Sequence, residues 1–439
     1  MPHERFHYGS ITELEQTAAR ESAWLPLGGE LSALANPLIV HNHTLPNRIA
    51  IQPMEGADGT PDGAPGELTY RRYERFAAGG AALIWFEAVA VACEGRANPR
   101  QLMLTEHNLD AYKRLVERIR ETGVRANGYA PLIIMQATHS GRYSKPDGSP
   151  KPRIAYNNPL YESEPLPASA ILTDDELRQT ESLYGLTAAL AERAGFDGVD
   201  IKACHRYLIN ELLSAYNRPG DYGGSLENRS RFLCNAMESA RASVSADMIL
   251  TTRINVYDGF PHPFGFGVKP HVNPESELTP DLSEPLKVIG KLADRFNLPI
   301  INITIGNPYK NPHVNRPYDA GGYVPDEHPL VGLSRMMRCV SAVQKAFPQL
   351  SVVGSAFSYP RQFAPALAAG MVSGNHCNMA GFGRMALAYP DFANDILHSG
   401  GLDAKKVCLT CGQCAGLLRQ GKPAGCAIRD AEYREVVTR

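Results

Sequence analysis

The sequence has no uninterrupted run of eighteen apolar residues, so no transmembrane helix is expected. Its opening stretch, MPHERFHYGS, has no apolar core of the kind a secretory signal needs, and a cytoplasmic address is the resulting expectation. Neither sign of charge is in excess. Lys and Arg number 44 against 46 Asp and Glu, a net of −2, which gives no general pull toward nucleic acid or an anionic membrane. Nine cysteines, an odd count with no export signal, argue against a disulfide scaffold. No G-x-G-x-x-G follows a strand where it would open a dinucleotide fold. What remains is ordinary globular composition, 44% hydrophobic and 21% charged, which excludes a disordered chain.

The 439 residues suit a barrel of about 250 to 400 residues plus one accessory segment. Residues 1–36 are polar and mixed and read as an arm. NPLIVHNHTLPNRIAIQPM then reads as a short hairpin feeding a buried strand. Apolar β-rich runs recur at 48–54, 81–91, 131–137, 198–203, 248–254, 298–305, 350–354 and 375–381, the last barely strand-like in composition. Helical patterns alternate with them. In TDDELRQTESLYGLTAALAERAG, Thr173 and Glu176 form a capping box and Gly195 closes the helix. Eight strands alternating with helices predict parallel βα units closed as a (β/α)8 TIM barrel over 37–400; a doubly wound sheet is the alternative. Two long Pro- and Gly-rich inserts, 144–167 and 307–329, follow strand ends on the face where barrels carry their sites.

The remaining segment, 401–439, is cysteine-rich. Cys408, Cys411 and Cys414 form C-x2-C-x2-C, and Cys426 follows after eleven residues. Four thiolates at this compact spacing suit a [4Fe–4S] cluster, with Gly412 and Gly416 letting the backbone wrap it. A structural zinc more often pairs two separated knuckles. Zinc and unligated thiols stay as alternatives.

The stretch VDIKACHRYLINELLSAYNRPGDYGGSLENRSRF (199–232) resembles the signature of the Old Yellow Enzyme family of flavin oxidoreductases. NRIAIQPM, MQATHSGR, Arg253 and GFGRMALAYPD match in order, so the resemblance runs from about 36 to 426. The cysteine tail points to the iron–sulfur branch that holds 2,4-dienoyl-CoA reductase and trimethylamine dehydrogenase. The resemblance implies FMN at the barrel mouth. Pro53, Met54 and Glu55 would touch the flavin ring, with Ala88 near a flavin carbonyl and Gln136 at the pyrimidine edge. Arg253 would sit beside N1 and O2, where reduction places negative charge. Gly354, Ser355, Gly383 and Arg384 would hold the phosphate.

On the substrate side, the resemblance makes Lys202 and His205 the pair that polarises a substrate oxygen, and Tyr207 the proton donor. Lys202 departs from the His or aromatic residue commoner there, and a pairing with Asp200 is the bland alternative. Glu55 replaces the cysteine that tethers flavin in trimethylamine dehydrogenase, and Asn307 replaces an Asp, so non-covalent FMN is expected and amine demethylation is disfavoured. His139, Arg142 and Tyr143, with Tyr309, His313 and Tyr318, are expected near the substrate mouth. The implied function is an FMN and [4Fe–4S] ene-reductase. It would take electrons from a separate donor protein or reductase and act on a small-molecule substrate, and a homo-oligomer is possible. The rival readings are a flavin dehydrogenase oxidising an amine or alcohol-like substrate, and an electron-transfer subunit.

Overall fold

The computed structural model describes residues 3–270 and 279–438. Strands β1 (Leu38–Val40) and β2 (His43–Leu45) pair antiparallel as the expected hairpin. The strands that follow are β3 (Ile49–Ile51), β4 (Leu83–Ala90), β5 (Leu132–Thr138) and β6 (Gly198–Ile201). Then come β7 (Ile249–Thr251), β8 (Arg253–Asn255), β9 (Ile300–Thr304), β10 (Ser351–Gly354) and β11 (Met379–Phe382). All pairs among β3–β11 are parallel, in the order β7-β6-β5-β4-β3-β11-β10-β9-β8. The two ends of that order are one stretch of chain, parted only by Thr252, so the ladder closes on itself. Ala203 N donates to Arg253 O at 2.9 Å on one side, and Asn302 N to Thr252 O at 3.2 Å on the other.

The protein is therefore an eight-position parallel barrel with helices around it, and the doubly wound alternative falls away. All eight sequence runs carry a barrel strand. The last lies at Met379–Phe382 rather than 375–381, because Asn375 takes a left-handed backbone (φ 53°) in the turn after the helix Ala364–Ser373. The lower barrel interior is filled by alternate strand residues such as Leu83, Trp85, Leu132, Ile134, Ile300 and Val353. Leu38, Val40 and Leu45 of the hairpin join the same cluster and plug that end. A plugged base leaves the C-terminal ends of the strands as the open face.

The flanking segments pack on the barrel. Helix Ile11–Arg20 starts at Ser10, whose Oγ accepts from Glu13 N at 3.2 Å, and buries Leu14 in the main core. Pro26 passes so close that a Cβ on Gly370 would lie 1.8 Å from its carbonyl oxygen. The tail crosses the open face: Ala424 N donates to Gly56 O at 2.7 Å. Asp430 accepts from Arg71 at 2.8 and 2.9 Å and pairs with Arg75, both on helix Glu67–Ala78. Among the described residues, no helix is long and apolar enough to cross a membrane.

Candidate active site

The barrel's open end holds a cavity of about 790 Å³. The strand-end residues Pro53, Met54, Glu55, Gln136, Lys202, His205, Tyr207, Arg253 and Arg384 all line it. A second cavity of about 500 Å³ adjoins it, sharing Pro53, Met54, His205, Arg253 and Arg384 and adding Ser355 and Gly383. Of the thirteen expected flavin and substrate residues, spread over more than 330 positions of sequence, eleven line these two connected spaces; Ala88 and Gly354 are the exceptions. Ala88 pairs in register with Gln136, and its carbonyl accepts from Gln101 Nε2 at 3.3 Å; the Gly354 carbonyl accepts from Gln52 Nε2 at 3.0 Å. Neither lines these cavities.

Asp200 organises the floor. Fully buried, it accepts from Trp85 Nε1 at 2.7 Å, Gln136 Nε2 at 2.6 Å and Arg253 N at 2.6 Å. The bond to Arg253 N replaces a ladder bond and separates β7 from β8. Burial pushes its carboxyl up to about 6 although all three donors oppose this. Among the described residues Arg253 makes no ion pair with a carboxylate; its buried Nε has no hydrogen-bond partner, and its Nη2 donates to Ser355 Oγ at 3.4 Å. A buried cation without a counter-charge is costly, so the arrangement fits an anionic or electron-rich group beside it.

Lys202 does not pair with Asp200. Its Nζ lies 3.4 Å from Glu55 Oε1 and 3.8 Å from the centroid of the Tyr207 ring. The three donors already on Asp200 explain this, and Glu55 supplies the counter-charge. The Tyr207 hydroxyl donates to Glu55 Oε1 at 3.1 Å and lies 2.8 Å from the Tyr309 hydroxyl. Burial, with the Glu55 charge next, holds the Tyr207 phenol well above its ordinary range, so it keeps its proton. Glu55 Oε2 is buried without a partner.

His205 and Arg206 both take left-handed backbone (φ 65° and 61°), turning the chain out of β6 and aiming the imidazole into the cavity. Asn315 Nδ2 donates to Ile305 O at 2.8 Å, which fixes its amide, and reaches His205 Nε2 at 3.3 Å. With Nε2 accepting, Nδ1 carries the ring proton. Burial, helped by Arg253, Lys202 and Arg316, pushes His205 well below its ordinary range, so the ring is neutral. Its neighbour Cys204 is buried with its thiol pushed up to about 11, unlike a reactive thiolate.

Of the expected mouth residues, Tyr309 lines the main cavity. Tyr143 stacks on it at 4.0 Å, and Tyr318 lines a neighbouring space. His139, Arg142 and His313 line none of these cavities. His139 is buried against Gly95, and Arg142 is buried in a pair with Glu211. Arg316 is the residue sequence reasoning missed. It lies in the second insert and lines both cavities, and burial with the nearby Arg384 charge pushes its guanidinium down to about 10. Nothing periodic marks it in sequence; a lone Arg in a Pro-rich loop gives no signal.

Cys408, Cys411, Cys414 and Cys426 line one space of about 380 Å³, and Cys414 also faces the main cavity. Thr410 (φ 52°) and Gly412 (φ 75°) turn the chain between them, and Thr410 N lies 3.4 Å from Cys408 Sγ. Gly416, expected to help, sits inside helix Gln413–Arg419 with open space around it. Among the described residues no three His, Cys, Asp or Glu side chains converge closely enough for one metal ion.

Fold and cavity define a class: a barrel oxidoreductase whose strand ends suit a flavin. The model of the NADH:flavin oxidoreductase / NADH oxidase family matches residues 33–266. An NADPH dehydrogenase of Geobacillus sp. (strain WCH70) is 31% identical over 243 residues, 54% of this chain and 67% of that protein. A structure of 2-naphthoyl-CoA reductase with 2-naphthoyl-CoA superposes with a TM-score of 0.71 at 19% identity, covering 91% of this chain and 57% of that one. An old yellow enzyme homologue from Zymomonas mobilis gives 0.60 at 21%, covering 84% and 94%. The chain belongs to the NADH:flavin oxidoreductase / NADH oxidase family, the Old Yellow Enzyme family, and is a flavin-dependent oxidoreductase.

Proposed function

We propose that the protein is an FMN and [4Fe–4S] dependent ene-reductase acting on an activated C=C bond of an enone, enoate or dienoyl thioester. The observation that carries this reading is the Lys202, His205 and Tyr207 set on one cavity wall with Arg253 and Gln136. FMN would supply a hydride from N5. Pro53, Met54, Glu55 and Gln136 would hold its ring, Arg253 its N1 and O2 edge, and Ser355, Gly383 and Arg384 its phosphate. Ala88 and Gly354 would serve as the strand backbone behind it. The unpaired Arg253 supports this, and so does the absence of a Cβ at Gly383, where one would come 3.0 Å from Met54 Sδ.

Lys202 and His205 Nδ1–H would donate to the substrate oxygen as negative charge develops on it. Tyr207, kept protonated by its surroundings, would give its proton to the α-carbon. Tyr309, 2.8 Å away, is placed to replace that proton.

A cluster would supply one-electron transfer, held by Cys408, Cys411, Cys414 and Cys426. A tetrahedral zinc draws four sulfurs to about 2.3 Å from one point. The compact C-x2-C-x2-C triple with Cys426, all four facing one space, supports the cluster over zinc, which more often pairs two separated knuckles. On this reading residues 1–36 are an accessory arm, 37–400 the flavin barrel and 401–439 the cluster segment, and electrons come from a separate donor protein or reductase. The test is an anaerobic panel of enones, enoates and dienoyl thioesters with reduced viologen. Reduction of at least one class at C=C is expected; none with flavin-loaded protein would overturn the reading.

A further inference from the structure

Glu87 interrupts the alternation of β4. Trp85 faces the barrel interior and Phe86 faces outward, where its ring stacks on Tyr73 at 4.2 Å. Strict alternation would send Glu87 inward. In the ladder, however, Phe86 pairs with Met135 and Ala88 with Gln136, so Glu87 is one residue too many. It turns outward to the same Tyr73, whose hydroxyl donates to its Oε1 at 3.2 Å and accepts from its N–H at 2.8 Å. A bulge of this kind re-aims one side chain.

The re-aimed carboxylate is buried and meets only donors. Oε1 also accepts from Arg72, which bridges to Asp58, and Oε2 accepts from Gly56 N at 2.8 Å. The Arg72 guanidinium lies against Gly56, where a Cβ would come 2.2 Å from Nη1. The tail holds the other side. Gly56 O accepts from Ala424 N, and the hydroxyl of Tyr433, on helix Ala431–Thr438, accepts from Arg72 Nη1 at 3.4 Å. Gly56 follows Glu55, whose Oε1 serves Lys202 and Tyr207 while its Oε2 has no partner. The side chain of Glu55 is thus anchored only by the groups it arranges, and its place depends on its backbone.

We propose that Glu87 is a positioning residue for the reaction: through the Gly56 N–H it fixes Glu55, and so the Tyr207 hydroxyl and the Lys202 ammonium. The inference rests on the reading of Tyr207 as the proton donor. Glu87 lines neither cavity of the site, so its action is indirect. It is also sensitive to pH. Burial pushes the Glu87 carboxyl up to about 7 against the pull of Arg72, and the Asp58 charge adds to the rise. The other groups around it, Tyr73, Tyr112, Tyr433 and Arg72, are all held above their ordinary ranges. A proton on Glu87 sets a donor against donors and breaks a bond of the network.

The test uses the flavin-loaded full chain, reduced viologen and whichever of the enone, enoate or dienoyl thioester panel it reduces. Glu87→Gln keeps the shape but turns one acceptor into a donor. Rates per bound flavin should fall about tenfold, and amide exchange around Gly56, read by mass spectrometry, should quicken by a similar factor. Added to Glu55→Gln, the substitution should cost about twofold or less. Parent turnover should fall as pH drops through about 7, where Glu87 takes its proton. Glu87→Gln should erase that limb, and Tyr73→Phe, which removes a donor to the carboxylate, should move it to higher pH. Unchanged turnover, unchanged exchange, or an equal loss in the Glu55→Gln chain would overturn the inference. If Glu87→Gln does not fold, Tyr73→Phe decides: a limb that stays in place overturns it too. A parent that reduces nothing on the panel sinks the ene-reductase reading and this inference together. A chain whose turnover needs Tyr207 but not Glu87 loses this inference alone.

Discussion

The Tyr207 hydroxyl donates to Glu55 Oε1 at 3.1 Å, joining the end of β6 to the loop after β3 across 152 positions of sequence. Glu55 also takes Lys202, so one carboxylate sets both the proton donor and the cation beside it. Glu55→Gln keeps an acceptor but removes the charge. Turnover should fall about tenfold. The Glu55→Gln/Tyr207→Phe double variant should lose little beyond Tyr207→Phe alone, because the two act together. Fully additive losses in steady-state rates would contradict the coupling.

Tyr207→Phe should lower turnover by about a hundred- to ten-thousand-fold while leaving flavin binding intact. Stopped-flow measurement should place the loss in substrate reduction rather than flavin reduction. Undiminished substrate reduction would remove Tyr207 as the acid.

Arg253→Met should weaken FMN retention about tenfold or more, and Arg253→Lys less, because lysine keeps the positive charge at the flavin edge that methionine removes. Equilibrium dialysis with FMN reads this directly. Equal retention in all three proteins would place the cation outside the flavin site.

Stability should depend on pH through His139, which burial pushes down to about 4. Its folded value lies below the unfolded value of about 6.5. The unfolded chain therefore binds the extra proton first, and the contribution is complete above 6.5 and lost as pH falls toward 4. Asp200, raised to about 6, and Glu87, raised to about 7, act with opposite sign. The informative quantity is thus the difference from His139→Asn. That variant should flatten the fall in unfolding free energy between pH 6.5 and 4 by up to one proton's worth of slope. Parallel curves would rule the assignment out.

Much of this was legible in the sequence because barrel strands are short, apolar and evenly spaced, and each of the eight runs carries one. The Thr173 cap with Glu176 appears as the spacing implies. What was not legible depends on contacts across the barrel mouth. Asp200, two residues away, is the partner that sequence proximity offers Lys202, but Asp200 is committed to Trp85, Gln136 and the Arg253 amide. Arg316 and Asn315 lie in an insert whose path no periodicity predicts. The first 36 residues read as polar, yet Leu14, Thr17 and Ala18 recur at helical spacing and are the buried face of helix Ile11–Arg20. That signal was present and is short.

The central claim is a barrel that carries both a flavin and a cluster, and chemical analysis of anaerobically purified protein tests it most directly. A visible spectrum with counts of flavin, iron and acid-labile sulfide should give about one FMN, four iron and four sulfide per chain. Cys414→Ser should lower the iron and sulfide and keep the flavin. A chain without FMN, or one with FMN and zinc in place of iron and sulfide, would contradict the account.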